Sequence, residues 1–224
     1  MKNLKGLEIV EVDKRLKRIY GEPRRPTKDA VSQLVATMLS QATTDIQTAR
    51  SFEALRQRFP TWDLVRDAPA SEIAKAIHSS GLSKQKAPRI KKALQHISRE
   101  RGLIDLNFLK KMSVDEARQW LVNIAGVGPK TASIVLLFSF RKPLFPVDTH
   151  VYRVTKRMGW IPQNVSVEKA HDILRAAVPP RLHYRLHLNL IEHGRKTCQA
   201  IRPRCEVCTL TDLCKYYAQA HVGK

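Results

Sequence analysis

The chain has 224 residues, room for one domain or two small ones with a real core. Hydrophobic residues at 43% and charged residues at 27% exclude wholesale disorder, and no apolar run approaches the ~20 residues of a membrane-spanning helix. Forty Lys and Arg against 20 Asp and Glu give a net charge of +20, which points to a polyanionic partner, nucleic acid before a membrane surface, because no amphipathic anchor stands out.

Along the chain, Met1-Lys2-Asn3-Leu4-Lys5 is not followed by the apolar stretch of a secretory signal, so an intracellular, cytoplasmic location is expected. Breaks at Gly21-Glu22-Pro23 and Arg141-Lys142-Pro143 divide the chain into three. Ala30, Val31, Leu34, Val35, Met38 and Leu39 recur at helical spacing and predict a helix with one apolar face. Ala87, Ile90, Ala93, Leu94 and Ile97 do the same, with Lys91, Lys92 and Arg99 on the opposite face. Ser113-Val114-Asp115-Glu116 is a capping box that starts a helix containing Trp120 and Leu121. Thr131–Phe140 is apolar nearly all round and predicts a central buried helix. His183 and His187, four apart, read as a polar helix face rather than a metal pair, and Trp62, Trp120 and Trp160 as core rather than a base-stacking platform. Gly194 follows Leu186–His193 as a helix stop. Strand alternation and Asn-Gly turns are absent, so the fold class is all-α.

Three motifs carry chemistry. In Leu121–Ala132 a helix ends, Gly126-Val127-Gly128 turns, and Pro129-Lys130-Thr131 opens another helix. Glycines allow positive φ and close approach, proline suits a helix's first turn, and free amides there can hold a phosphate. That is a helix–hairpin–helix pattern, which grips DNA backbone without reading sequence; a plain interhelical turn fits the residues equally well, and the surrounding charge favours DNA. The second motif pairs Lys130 with Asp148. A partly desolvated lysine near other cations is a nucleophile, and a carboxylate stabilises charge developing on a sugar or takes up protons. On spacing alone, a salt bridge or Asp148 capping the helix that begins near His150 explains the pair better. The third is Cys198-x6-Cys205-x2-Cys208-x5-Cys214, all four cysteines within 17 residues. A tight cluster suggests a metal centre rather than disulfides, and the single close pair with long arms tilts from zinc toward a [4Fe–4S] cluster without deciding it. Lys196, Arg202 and Arg204 crowd the first arm, placed to offer cations to phosphates.

Together these residues resemble the endonuclease III family of helix–hairpin–helix DNA glycosylases, from about Thr27 to Tyr217. The resemblance rests on Met38-Leu39-Ser40-Gln41-Ala42-Thr43-Thr44-Asp45, on Gly81-Leu82 with Lys86-Ala87, on Gly126–Ala132, on Val147-Asp148-Thr149-His150 and on the cysteine spacing. It implies a six-helix barrel domain, residues 25–140, beside an iron–sulfur domain built from residues 1–24 and 141–224, with a [4Fe–4S] cluster on the four cysteines. It implies a monomer, associated with the nucleoid, that bends double-stranded DNA, flips the damaged base out and binds in the cleft. Lys130 would attack C1′, expel the base and cleave 3′ to the abasic site by β-elimination, with Asp148 assisting departure of the base. Oxidised pyrimidines and abasic sites are the implied substrates. Gln41, Ala42 and Leu82 would fill the gap left by the flipped base. Gly126, Val127, Gly128 and Thr131 would hold backbone, with Arg202 and Arg204 near phosphates.

The chain departs from the family pattern at Pro129, where a basic residue is common, at Ile124-Ala125 in place of Leu-Pro, and at Ala42, where a polar residue is usual. The adenine-mismatch branch lacks the lysine and carries a Glu at the position of Ala36, and the thymine-mismatch enzymes typically have Tyr in place of the lysine. Lys130 therefore favours the bifunctional enzyme. A non-catalytic DNA-binding protein would not account for Lys130 with Asp148, nor an electron carrier for the hairpin.

Overall fold

The computed structural model describes residues 2–25 and 27–221. Among them are twelve α-helices, joined by loops and short 3₁₀ turns, and no strand. They are α1 (Lys2–Tyr20), α2 (Ala30–Leu39), α3 (Asp45–Arg58), α4 (Trp62–Asp67), α5 (Ala70–Ala76), α6 (Ser83–Arg101), α7 (Val114–Val122), α8 (Pro129–Phe140), α9 (Thr149–Met158), α10 (Val167–Ala177), α11 (His183–Lys196) and α12 (Lys215–His221). No helix among the described residues is long and apolar enough to cross a membrane. The chain forms two compact units: one from the described residues up to Arg25 together with those from Pro143 onward, the other from the segment between. The three stretches between the sequence breaks thus make two units, because the first and third pack together.

In the middle unit α2 packs against α3, α6 and α8. Asp29 caps it, its carboxylate accepting the Ser32 amide at 2.9 Å, a cap worth about 1 kcal/mol. The sequence pattern showed one apolar face, yet every residue of α2 is buried. The polar ones are satisfied locally: Gln33 Nε2 donates to Thr37 Oγ1 at 3.1 Å and Thr37 Oγ1 to Gln33 O at 2.7 Å. On α6, Ala87, Ile90, Ala93, Leu94 and Ile97 are fully buried, and each large aliphatic among them contributes roughly 1.5–3 kcal/mol. The Ser113–Glu116 capping box is formed at the head of α7. In α8 burial runs from Thr131 to Leu137, with Ile134 and the last turn half-buried, so α2 rather than α8 is the more completely enclosed helix. Trp160 is core, but Trp62 and Trp120 are only half-buried; Arg56 covers the Trp62 ring at 4.4 Å and Phe108 meets Trp120 edge-on at 4.9 Å.

In the other unit Ile9, Val12 and Leu16 of α1 pack with Val151 and Val154 of α9, Leu174 of α10 and Leu186 and Leu190 of α11. Arg185 ties α11 to α1, its fork meeting the buried Asp13 carboxylate at 2.5 and 3.0 Å. Two expectations are corrected here. His183 and His187 are not a polar face: both are buried, bonding the carbonyls of Val178 (2.9 Å) and Pro146 (2.9 Å). Gly194 does not stop α11, which runs on to Lys196. Its missing side chain makes room for α9, since a Cβ there would lie 2.8 Å from His150 Cβ.

Candidate functional site

The hairpin is anchored by its apolar residues and displayed by its glycines. Ile124 and Val127 are buried, and the Val127 amide closes the turn on Ile124 O at 3.0 Å. Gly126 needs its freedom: φ is +89°, and a Cβ would stand 3.3 Å from Arg89 Cβ. Gly126 and Gly128 are exposed, whereas the Val127 and Thr131 side chains are buried, so those two reach a ligand only through backbone. Gly128 begins α8 with no side-chain cap, and Pro129 follows at the first helical position. The amides of the first turn are thereby left for an external acceptor, and the helix dipole favours an anion there. Lys130 is exposed at that turn rather than desolvated, because α8 turns Thr131, Ala132 and Ser133 inward.

Asp148 is half-buried and is the N-cap of α9: its Oδ1 accepts the Val151 amide at 2.8 Å. The capping reading left open by the sequence is therefore realised. A cap is also an orienting device, since it fixes the carboxylate's rotamer at a helix head.

Gln41 is half-buried, and Ala42 and Leu82 are exposed, Leu82 by 53%. Both Ala42 (φ 51°) and Leu82 (φ 50°) adopt the left-handed conformation, which costs a residue with a Cβ about 1–2 kcal/mol.

The four cysteines line a single pocket, together with Val154, Arg157, His193 and Leu210. None of the four is in a disulfide. Burial pushes Cys208 up to about 11 and raises Cys214 and Cys205 as well. Arg157 Nη1 donates to Cys198 Sγ at 3.3 Å and to Gln199 O at 2.7 Å. Among the described residues no three metal-binding side chains are close enough to hold a single ion. Four cysteine thiolates lining one pocket are the donor set that a [4Fe–4S] cluster takes, so the chemistry of the residues fits one. Arg202 and Arg204 lie exposed on the first arm, Arg202 with φ 54°.

Sequence reasoning missed Arg157 and His193 at this pocket, and it named Lys86 only within the family resemblance, not as a buried group. His193 Nε2 lies 3.7 Å from Cys208 Sγ. Arg157 was visible only as one member of a basic stretch, and neither residue has a diagnostic spacing to the cysteines.

The family model of the HhH-GPD superfamily of base excision DNA repair proteins matches residues 35–180. A candidate DNA glycosylase of Arabidopsis thaliana is 37% identical over 183 residues, 80% of this chain and 62% of that protein, so the chain spans less than two thirds of the plant relative. Endonuclease III of Sulfolobus acidocaldarius is 34% identical over 193 residues, 85% of this chain and 84% of the archaeal protein. A trapped endonuclease III–DNA covalent intermediate superposes with a TM-score of 0.81 at 27% identity, over 96% of this chain and 98% of that one.

Proposed function

Because the chain belongs to the endonuclease III family of HhH-GPD base excision DNA repair proteins, we propose that it is a bifunctional glycosylase and abasic-site lyase acting on double-stranded DNA. The observation that carries the reading is the uncapped head of α8, where exposed Lys130 follows the Gly126–Gly128 hairpin in a chain of net charge +20. The hairpin amides and surrounding cations hold the phosphate backbone and bring a flipped nucleotide to the lysine. The Lys130 amine lone pair forms a bond to C1′, and the glycosidic bond breaks with its electrons going to the base. The surplus proton on nitrogen passes to the departing base; the C1′–O4′ bond then opens as O4′ takes up a proton, giving a protonated imine; removal of a C2′ proton expels the 3′ phosphate with the C3′–O electron pair and cuts the strand, and water hydrolyses the imine to release Lys130. Asp148 stabilises positive charge on the sugar as the base leaves. Oxidised pyrimidines are the proposed substrates, and the enzyme acts as a monomer in the cytoplasm, on the nucleoid.

We read the middle unit as the six-helix barrel and the other as the cluster domain. Cys198, Cys205, Cys208 and Cys214 would hold a [4Fe–4S] cluster, which supplies a rigid cross-link for the loop bearing Arg202 and Arg204. The trapped covalent complex of the structural neighbour supports the imine step.

The test is borohydride trapping on a duplex with one abasic site, with the native protein and Lys130→Ala in parallel, after iron content is measured. A covalent adduct from the native protein alone is expected. Native protein that binds the duplex, carries iron and gives no adduct would overturn the lyase reading and leave a monofunctional glycosylase or a binding protein. Zinc in place of iron would overturn the cluster assignment.

A further inference from the structure

Lys86 lies at the end of the first turn of α6 and is only 3% exposed. Its Nζ donates 2.7 Å bonds to Leu39 O and to Ser80 O. Those carbonyls end two separate elements: Leu39 is the last residue of α2, and Ser80 the last of the 3₁₀ turn His78–Ser80. Just beyond each comes an exposed residue in the left-handed conformation, Ala42 after the first and Leu82 after the second. Other bonds hold each loop by itself. Ser40 Oγ donates to Thr37 O at 2.8 Å, while Ser80 Oγ donates to Ile77 O at 2.8 Å and the buried Ser51 meets Ser79 at 2.6 Å. None of these joins one loop to the other; the Lys86 ammonium does. Burial lowers its pKa below that of a free lysine, and a buried ammonium is tolerated only where acceptors replace its water. Two carbonyls at the ends of two elements are such acceptors, so displacing either loop would leave the charge under-solvated.

We infer that Lys86 is a positioning residue for the proposed reaction: it fixes the separation of the loop at residues 40–42 from the loop at residues 80–82, and with it the spacing at which Gln41, Ala42 and Leu82 enter the duplex. It touches no DNA itself. The inference rests on the proposed reading of those loops as the parts that fill the gap behind a flipped nucleotide.

The experiment is a double-mutant cycle of Lys86→Met and Leu82→Ala, read as single-turnover nicking of an abasic-site duplex well below the melting temperature of every variant. Lys86→Met should slow nicking between about tenfold and 100-fold, as a misplacement near 1 Å does, while binding of undamaged duplex stays within about twofold. Leu82→Ala combined with Lys86→Met should be no slower than the slower single variant, because the clamp acts through what it holds. Additive effects, or an unchanged rate in Lys86→Met, would overturn the inference and leave the proposed function standing. Native protein without nicking would sink the proposed function instead. If Lys86→Met does not fold, amide exchange in the native protein decides. The amides of Ser40 and Gly81, which bond Ala36 O and His78 O, should then open with the same free energy. Independent opening refutes the clamp.

Discussion

Asp148 offers a clean separation of two roles. Its Oδ1 caps α9 through the Val151 amide at 2.8 Å, and the proposed chemistry gives the same carboxylate a charge-stabilising task. Asn caps a helix about as well as Asp, so Asp148→Asn keeps the bond to Val151 and gives up only the favourable charge at the helix head, about 0.3–1 kcal/mol. Asp148→Ala loses the cap as well, about 1 kcal/mol more. For a chain of this length the combined loss of about 1.3–2 kcal/mol lowers the melting temperature by roughly 3–8 °C in the Ala variant, and the charge loss alone lowers it by roughly 1–4 °C in the Asn variant. Catalysis orders them differently. If the carboxylate acts on the departing base, both variants should lose about 10²–10⁴-fold in single-turnover excision, and the Asn variant no less than the Ala variant. The assay is excision of an oxidised pyrimidine from a duplex, beside a thermal melt of each protein. An Asn variant that excises at the native rate would refute the catalytic role and leave Asp148 a cap.

Two further outcomes follow from packing and burial. Gly194→Ala should destabilise despite a helix-propensity gain of about 1 kcal/mol: the new Cβ meets His150 Cβ at 2.8 Å, overpacking that costs about 1–3 kcal/mol, so a melting temperature at or above the native value would contradict the close approach. Burial, opposed by the bond to Val178 and reinforced by Arg175, keeps the His183 pKa below its ordinary value; that ring stays neutral in the folded chain where it takes up a proton in the unfolded one, so its contribution to stability should be flat above about pH 7 and fall by up to about 1.4 kcal/mol per unit below about pH 6.5, with the buried His193, lowered to about 4, adding a fall of the same sign. Chemical denaturation at several pH values, with His183→Gln beside the native protein, checks this: the variant should show a shallower fall, and an equal slope would exclude His183 as its source.

The helices were legible because their signals are local. The aliphatic period of Ala87–Ile97, the Ser113–Glu116 box and the Gly126–Gly128 turn each specify backbone geometry within a few residues, and each is realised. What escaped depended on partners distant in sequence. Gly194 reads as a stop by composition, yet the space it leaves is filled from His150 of another helix. His187 looks polar, but the carbonyl of Pro146, 41 residues away, lets it be buried. Lys86 is one lysine among several in a basic helix; only the fold brings Leu39 O and Ser80 O to its ammonium. At the cysteines, spacing identified the four donors, and the fold added Arg157 and His193 around them.

Backbone strain links these observations to function. Among the described residues the non-glycine positions with positive φ are Ala42, Leu82, Arg141 and Arg202, and three of them are residues that the family resemblance singles out for DNA contact. Glycine adopts this conformation freely, so a side chain retained there is retained against a local penalty. Leu82 is the sharpest case, since 53% of it is exposed and little burial compensates. Leu82→Gly relieves about 1–2 kcal/mol of left-handed strain and loses about 0.5–1 kcal/mol to the greater freedom of the unfolded chain. The folded protein should therefore be as stable as the native one, or up to about 1.5 kcal/mol more so. On the proposed reading of Leu82 as a wedge that fills the gap, nicking of an abasic duplex should nonetheless fall by about tenfold or more. A variant that loses more than about 1 kcal/mol would show that the side chain serves the fold, and one that nicks at the native rate would show that it serves neither.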